Sequence, residues 1–289
     1  MAEKKRAVAL GNFDGIHIGH SAVIGCAVSA AESGLVPCVL LLDPMPSRFF
    51  GKAESKELVS AQEKERIISA MGAEVVKIDF AEVKDYTPEE FFEKIIVGSL
   101  SAGMLCCGFN YRFGKGGSGD SALLAALCKT AGIELSIVPA VLYDNQPVSS
   151  TRIRTALENG EITLANAMLG RNFGYTLGVV HGDELGRTLG YPTLNQLFPD
   201  GMIVPKYGVY ASRTCVDGVW YSSVTNIGRR PTFENNQQRS ETHIIGYCGD
   251  LYGKQIEVRL LRYIRCEKKF SSLNELKNQL AKDKQAAGN

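Results

Sequence analysis

The sequence predicts two domains of different class: an N-terminal α/β domain on a mainly parallel sheet, and a C-terminal antiparallel β-barrel or sandwich followed by one helix. Three observations predict this. Between residues 7 and 140, short apolar runs alternate with helical patterns long enough to serve as crossovers between parallel strands. After Gly170 the texture changes to β-branched and aromatic runs separated by Gly, Asp and Asn. The chain of 289 residues, 45% hydrophobic and 22% charged, is long enough for two medium domains that each bury a core.

In order along the first domain, Ala7 to Leu10 reads as a strand, followed by a helix from about Ser21 to Ser33 closed by Gly34, and by a strand over Val36 to Leu42. A helix near Gln62 to Met71, a strand over Val75 to Phe80 and a helix over Pro88 to Ile96 continue the alternation. Met104 to Phe109 and Ile133 to Val138 are strands around a helix at Ser121 to Ala131. In the second domain the strand-like runs are Tyr175 to Val180, Tyr207 to Val216, Val219 to Asn226, Thr242 to Tyr247 and Ile256 to Ile264. Asp217-Gly218 forms a hairpin turn between two of them, and a helix spans about Ser272 to Lys282. The texture changes near Arg171 to Gly174, which sets domains of 1–172 and 173–289.

Bulk properties narrow the function. A net charge of +1 with no Lys/Arg tract points to small ligands rather than nucleic acid. Eight scattered cysteines without a C-x-x-C pair read as reduced core thiols, and no zinc site is expected. No apolar run approaches the ~20 residues that span a bilayer, and the short N-terminal run is no signal-peptide core. A cytoplasmic protein is expected, with no membrane partner.

The segment Gly11 to His20, GNFDGIHIGH, leaves the first strand at the carboxyl edge where such sheets bind ligands. Gly11, Gly15 and Gly19 allow a tight turn and close approach of backbone to a phosphate, with Phe13 and Asp14 inside the turn and a helix N-terminus beyond. His17 and His20 are three apart and share a face of a helical first turn, where both can donate to ATP phosphates as charge moves onto pyrophosphate. This is the phosphate-handling turn expected of an ATP-using nucleotidyltransferase with a Rossmann-like sheet. His17-Ile18-Gly19-His20 is also similar to the HIGH signature of class I aminoacyl-tRNA synthetases, but the chain has no KMSKS-like partner. Ser149-Ser150-Thr151-Arg152-Ile153-Arg154, ahead of a helix over Thr155 to Asn159, adds capping hydroxyls at Ser150 and Thr151 and the forked donors of Arg152 and Arg154.

Two glycine patterns mislead. Gly114 to Gly119 satisfies G-x-G-x-x-G, yet Asn110 to Gly114 separate it from its strand, so it reads as a flexible loop over the site. Gly108 to Lys115 is one residue too long for a Walker A loop and has Gly116 in place of the hydroxyl.

A second site is expected in the C-terminal domain. His181 to Asn195 combines phosphate-compatible glycines, Gly182, Gly186 and Gly190, with Arg187 and a Pro-Thr-Leu-Asn corner. Thr193 and Asn195 fall on one side of an extended segment and offer neutral oxygens to Mg2+. Downstream lies the basic loop Asn226 to Phe233, containing Arg230, and then Ser240 to His243, which is read as opening a strand. Glu241 there is a candidate general base toward an alcohol attacking a γ-phosphate.

These motifs, in this order and over nearly the whole chain, resemble the prokaryotic bifunctional riboflavin kinase and FMN adenylyltransferase family, also called FAD synthetase. GNFDGIHIGH, GFNYRFGKGGSGD and SSTRIR carry the N-terminal resemblance; VVHGDELGRTLGYPTLN, NIGRRPTF, Glu241-Thr242-His243, Asp250 to Gly253 and Ile264 to Phe270 carry the C-terminal one. The resemblance implies a riboflavin kinase-like barrel that phosphorylates riboflavin, with Thr193 and Asn195 at Mg2+ and Glu241 as base. It implies an N-terminal domain that joins FMN to AMP from ATP using His17, His20 and Arg152, with flavin contacts expected at Asn110, Arg112, Asn226 and Arg230. All four histidines lie inside these motifs. The chain departs from the pattern at Leu41 to Pro46, where T-F-x-P-H-P is common and Met45 replaces the histidine, at Asn110, where an acid is common, and in a short run after Asp283.

Overall fold

A computed structural model describes residues 5–49, 56–182, 190–229 and 237–288. The chain divides into two compact units, one up to Ser150 and one from Thr151.

The first unit is built on five strands, β1 (Arg6–Leu10), β2 (Val36–Asp43), β3 (Glu74–Asp79), β4 (Ala102–Gly108) and β5 (Glu134–Val138). They pair in parallel in the order β3-β2-β1-β4-β5. The period-2 alternation of a strand buried on both faces sorts the core into two layers. Val8, Leu10, Leu40 and Leu105 face Phe91, Phe92, Ile96 and Leu124, while Ala7, Ala9, Val39 and Leu41 face Phe13, Ile16, Ile24 and Ile68. After β3 the chain crosses to the far side of β1, so the strand order reverses at β1 and β4. Ligands bind outside the carboxyl ends of strands at such a switch point, and GNFDGIHIGH follows β1 there.

The crossover helices are α1 (Ile18–Ser29), α2 (Pro46–Phe49), α3 (Ala61–Ala70), α4 (Phe80–Val83), α5 (Pro88–Phe91) and α6 (Ser121–Ala131). The helix expected at Ser21 begins earlier, because His17 caps it, and its last expected residues, Ala30–Ser33, tighten into a 3-10 turn before left-handed Gly34. The helix expected over Pro88 to Ile96 is α-helical only to Phe91 and continues as a π-helix over Phe92–Ser99. Asp79 and Phe80 mark another boundary: Asp79 ends β3 and its side chain caps α4. A small hairpin, β6 (Leu142–Tyr143) and β7 (Gln146–Pro147), turns on Asp144 and Asn145 at positive φ.

Two helices, α7 (Ser150–Asn159) and α8 (Ile162–Leu169), precede a closed six-stranded barrel. SSTRIR does not precede its helix as expected: α7 starts at Ser150, so Arg152 and Arg154 lie within it. Asn166 ties α8 to the barrel by donating to Leu260 O (2.9 Å) and accepting from Phe173 N (2.6 Å). The barrel strands are β8 (Gly174–Val180), β9 (Leu194–Leu197), β10 (Gly208–Val216), β11 (Val219–Arg229), β12 (Gln238–Ile244) and β13 (Gln255–Arg265), in the order β10-β11-β12-β9-β8-β13. The interior is partly polar. Ser212, Thr214, Ser223, Thr225 and Thr242 are fully buried and linked hydroxyl to hydroxyl at 2.8 Å. Gln196 donates to Leu177 O and Ile256 O. With Ser240, Thr242 and Ile244 inside, Glu241 and His243 face outward. The terminal helix α9 (Leu273–Gly288) covers part of the outer face, with Ala287 against Val209, Ala211 and Val224. Asp283, 2% exposed, receives Arg265 at 2.6–3.2 Å.

The cysteines are free but not all core residues. Cys38, Cys106, Cys107 and Cys128 are buried, whereas Cys248 and Cys266 are exposed, because they lie in the loop after β12 and just beyond β13.

Candidate functional site

Two constellations carry chemistry, one in each unit. In the first, the turn after β1 is held open by unusual backbone. Phe13, Gly15 and Ile16 have φ of 49°, 79° and 39°. Phe13 and Ile16 offset that cost by burying their side chains completely in the core, so Phe13 offers a ligand only its backbone. A side chain at Gly15 would be strained at φ 79° and would have to displace Leu58, whose Cδ1 would lie 2.6 Å from the Cβ. Asp14 accepts from Leu58 N–H (3.1 Å), and its carbonyl accepts from the Ser150 hydroxyl (2.9 Å).

His17 is the N-cap of α1 with extended backbone, rather than a first-turn residue as expected, and its Nδ1 accepts from His20 N–H at 3.2 Å. In the neutral ring the proton therefore sits on Nε2, which leaves that atom as a donor. The two imidazoles stack at 3.7 Å between centroids, 14° apart. Burial, the neighbouring His17 and the Lys64 ammonium together hold His20 well below the ordinary histidine pKa. The His20 amide is taken by His17 Nδ1 and that of Ser21 by the His17 carbonyl. Anion binding at a helix start uses the remaining first-turn amides, here Ile18 and Gly19.

Lys64 was not foreseen as a site residue. It lies on α3, is 7% exposed, and places Nζ 3.5 Å from Met45 Sδ. The available signal was its phase, one turn before the fully buried Ile68 on an amphipathic helix.

The Gly114 to Gly119 segment is not the free loop expected. Phe113 and Gly119 exchange two backbone hydrogen bonds, and Lys115 N–H donates to Tyr86 O. Asn110 and Arg112 are exposed on its approach, with Arg112 4.0 Å from Asp120.

In the second unit, Glu241 does not open a strand but stands in the middle of β12. It is the register partner of Asn195 on β9 and of Asn226 on β11, so the three form one row across adjacent strands. Asn195 is 7% exposed, and together with Thr193 and Gly182 it lines a cavity of about 520 Å3. Gly182 is required by close approach: a Cβ would lie 2.3 Å from Asn195 Nδ2. His243 Nδ1 bonds the Pro192 carbonyl at 2.9 Å, and its ring meets Tyr191 edge-on, which pins the Pro-Thr-Leu-Asn corner. The cavity is also lined by Tyr247, Asp250 and Tyr252, the last stacked on His181. Tyr247 had no part in the sequence reading of the site, and Asp250, Tyr252 and Glu267 entered it only as members of motifs; Glu267 accepts from Asn226 at 3.4 Å. Gly190 is exposed at φ 80°, while Gly186, Arg187 and Arg230 lie outside the described residues.

Comparison with known proteins matches these two halves separately. Residues 1–152 match the FAD synthetase family and residues 169–289 the riboflavin kinase family. The chain is 37% identical to the bifunctional riboflavin kinase/FMN adenylyltransferase of Bacillus subtilis, over 99% of this chain and 92% of that one. It is 36% identical to the protein of the same name from Escherichia coli K12, over 97% and 91%. A solved structure titled macrolide-efflux protein, from Streptococcus pneumoniae, superposes with a TM-score of 0.91 at 30% identity, covering all of this chain and 95% of that one. Among the described residues no helix is long and apolar enough to cross a membrane. The chain belongs to the bifunctional riboflavin kinase/FMN adenylyltransferase family, an enzyme that uses ATP to phosphorylate riboflavin and to adenylylate FMN.

Proposed function

We propose that the two reactions are divided between residues 1–172, which adenylylate FMN, and residues 173–289, which phosphorylate riboflavin, and that the residues placed above carry them. The observation that carries the kinase assignment is the row Asn195, Glu241 and Asn226. A carboxylate between neutral amides, with the Arg239 guanidinium 4.0 Å away and a cavity of nucleotide size at Asn195, suits proton removal from the ribityl hydroxyl as it attacks the γ-phosphate of ATP. Thr193 and Asn195 supply hard neutral oxygens, which fit Mg2+; when bound, that ion neutralises phosphate charge. The close packing of Gly182 holds the Asn195 amide in place. Gly182, Gly186, Arg187 and Gly190 are assigned to the nucleotide phosphates, and Asn226 and Arg230 to the flavin.

In the other half, the FMN phosphate is already anionic and attacks the α-phosphate without a base, so positioning and charge stabilisation suffice. His17 donates from Nε2, and His20 and Arg152 complete the donors to the phosphates. Gly11, Gly15 and Gly19, with the backbone of Phe13 and Asp14, form the phosphate turn, which Ser150 supports by donating to the Asp14 carbonyl; Thr151 and Arg154 are assigned to the nucleotide phosphates. Asn110 and Arg112 are assigned to the flavin. The reactants are riboflavin, FMN and ATP, in the cytoplasm.

The test is chromatography of the products from riboflavin, ATP and Mg2+, repeated with FMN in place of riboflavin. Both runs should yield FAD, with FMN as the intermediate of the first. Replacement of Glu241 should stop the first run and spare the second, and replacement of His17 or His20 should let FMN accumulate. Any other pattern refutes the assignment.

A further inference from the structure

The first unit contains a buried cation that the residues assigned so far do not use. Lys64 is 7% exposed, and its ammonium, which has three donors, makes one hydrogen bond among the described residues, to the thioether of Met45 at 3.5 Å. A thioether is a weak acceptor and carries no charge. Asp14, Glu57 and Asp43 are near enough to oppose the fall in the pKa of Lys64 that burial causes. One Asp14 oxygen accepts from Leu58 N–H at 3.1 Å. A buried ammonium with this little compensation is costly. Such a group is retained where a partner of opposite charge arrives later.

The position identifies the class of that partner. Lys64 stands one turn before Ile68, which packs in one core with Phe13 and Ile16 of the turn that begins α1, and its charge is near enough to act on Asp14 and His20. A nucleoside triphosphate brings several negative charges to a turn of this kind, and the neutral imidazole of His20 does not balance them. Met45 packs against the ammonium without neutralising it, and so leaves its charge for the incoming phosphates.

We propose that Lys64 is a further phosphate-binding residue of the adenylyl-transfer site, its ammonium pairing with the ATP phosphates that depart as pyrophosphate. This rests on the assignment of the GNFDGIHIGH turn to ATP. It distinguishes Lys64 from a structural lysine by sign, because removing an uncompensated buried charge does not destabilise the free protein, whereas removing a structural contact does.

The experiment uses the full chain with Lys64→Met, which keeps the apolar stem and deletes the charge. FAD formation from FMN and ATP, riboflavin phosphorylation on the same preparation, and thermal melting with and without Mg2+ and inorganic pyrophosphate are measured. The expected loss in kcat/KM for ATP in FAD formation is about 100-fold, the scale of one lost transition-state donor. The melting temperature of the free variant should equal or exceed that of the parent, and the rise in melting temperature caused by pyrophosphate should vanish. A loss of less than about tenfold overturns the proposal, as does an undiminished pyrophosphate shift. A lower melting temperature of the free variant also overturns it, since the lysine is then structural. If the parent forms no FAD from FMN, the adenylyl-transfer assignment fails instead, and the pyrophosphate series still decides the role of Lys64.

Discussion

Gly182→Ala tests the kinase geometry most directly, because it adds one methyl group and no charge. In the folded chain that Cβ would lie 2.3 Å from Asn195 Nδ2, 2.7 Å from Cγ and 2.9 Å from Oδ1, where ordinary contact begins near 3.4 Å. Asn195 is 7% exposed and sits on a strand paired to β8 and β12, so its amide must shift by about 1 Å. A displacement of that size in a positioning group costs about 100-fold in rate. Riboflavin phosphorylation should therefore fall about 100-fold, with a higher Mg2+ requirement, while FMN adenylylation is unchanged. The double variant Gly182→Ala/Asn195→Ala provides the control, since removing the amide removes the clash. It should be no slower than Asn195→Ala alone, a non-additive pair. A Gly182→Ala enzyme within threefold of the parent, or a fully additive double variant, would refute the assignment of Asn195.

Three further outcomes are expected. Glu241→Gln, isosteric but unable to take a proton, should lower kinase kcat by about 10²- to 10⁴-fold with little change in the KM for ATP; a full-rate variant removes Glu241 as base. Burial lowers the pKa of both His20 and His243, so around and below the unfolded pKa near 6.5 the unfolded chain binds more protons than the folded chain. Stability should therefore be complete above pH 7 and fall on acidification, by up to about 1.4 kcal/mol per pH unit at His20, and melting curves at pH 7.5 and 5.5 that coincide would contradict this. Asp283→Ala strands Arg265, which keeps its bond to Cys266 O and is 21% exposed. The low end of the buried-pair range, about 3 kcal/mol, applies, which calorimetry should record as a fall of about 6–12 °C in the barrel transition.

The α/β unit was legible because its signals are local. Ser60 with Glu63, Thr87 with Glu90, and Asp120 cap helices by bonds to residues two or three positions away, and Gly34 and Gly132 end helices by their own left-handed backbone. The barrel was read less well, for a physical reason. Ser240 and Thr242 of β12, and Gln196 of β9, point inward and are satisfied there by other barrel groups or sit among them. This inverts the usual apolar-in alternation. Consequently β12 was expected to begin at Ser240 or Thr242 rather than Gln238, and β9 was not separated as a strand. The neighbours of Glu241 belong to strand pairing and cannot be found from spacing. Lys64 was missed because a lysine on a helix is ordinarily solvated, and its burial follows from how α3 packs.

The same inward hydroxyls that hid β12 account for the placement of its carboxylate. Side chains alternate across a strand, so a one-residue slip of β12 would exchange Thr242 for Glu241 in the interior. Thr242 bonds Thr225, which bonds Ser212, and each is fully buried. After the slip that chain would lose a hydroxyl and face a buried, unpaired carboxylate, which costs several kcal/mol. The slipped register is thereby excluded, and Glu241 is held outward, in the row between Asn195 and Asn226. A barrel lined only with aliphatic side chains would resist the slip through the desolvation of Glu241 alone. The hydroxyl ladder adds directional bonds that only one register satisfies, and so makes the position of the proposed base a property of the core.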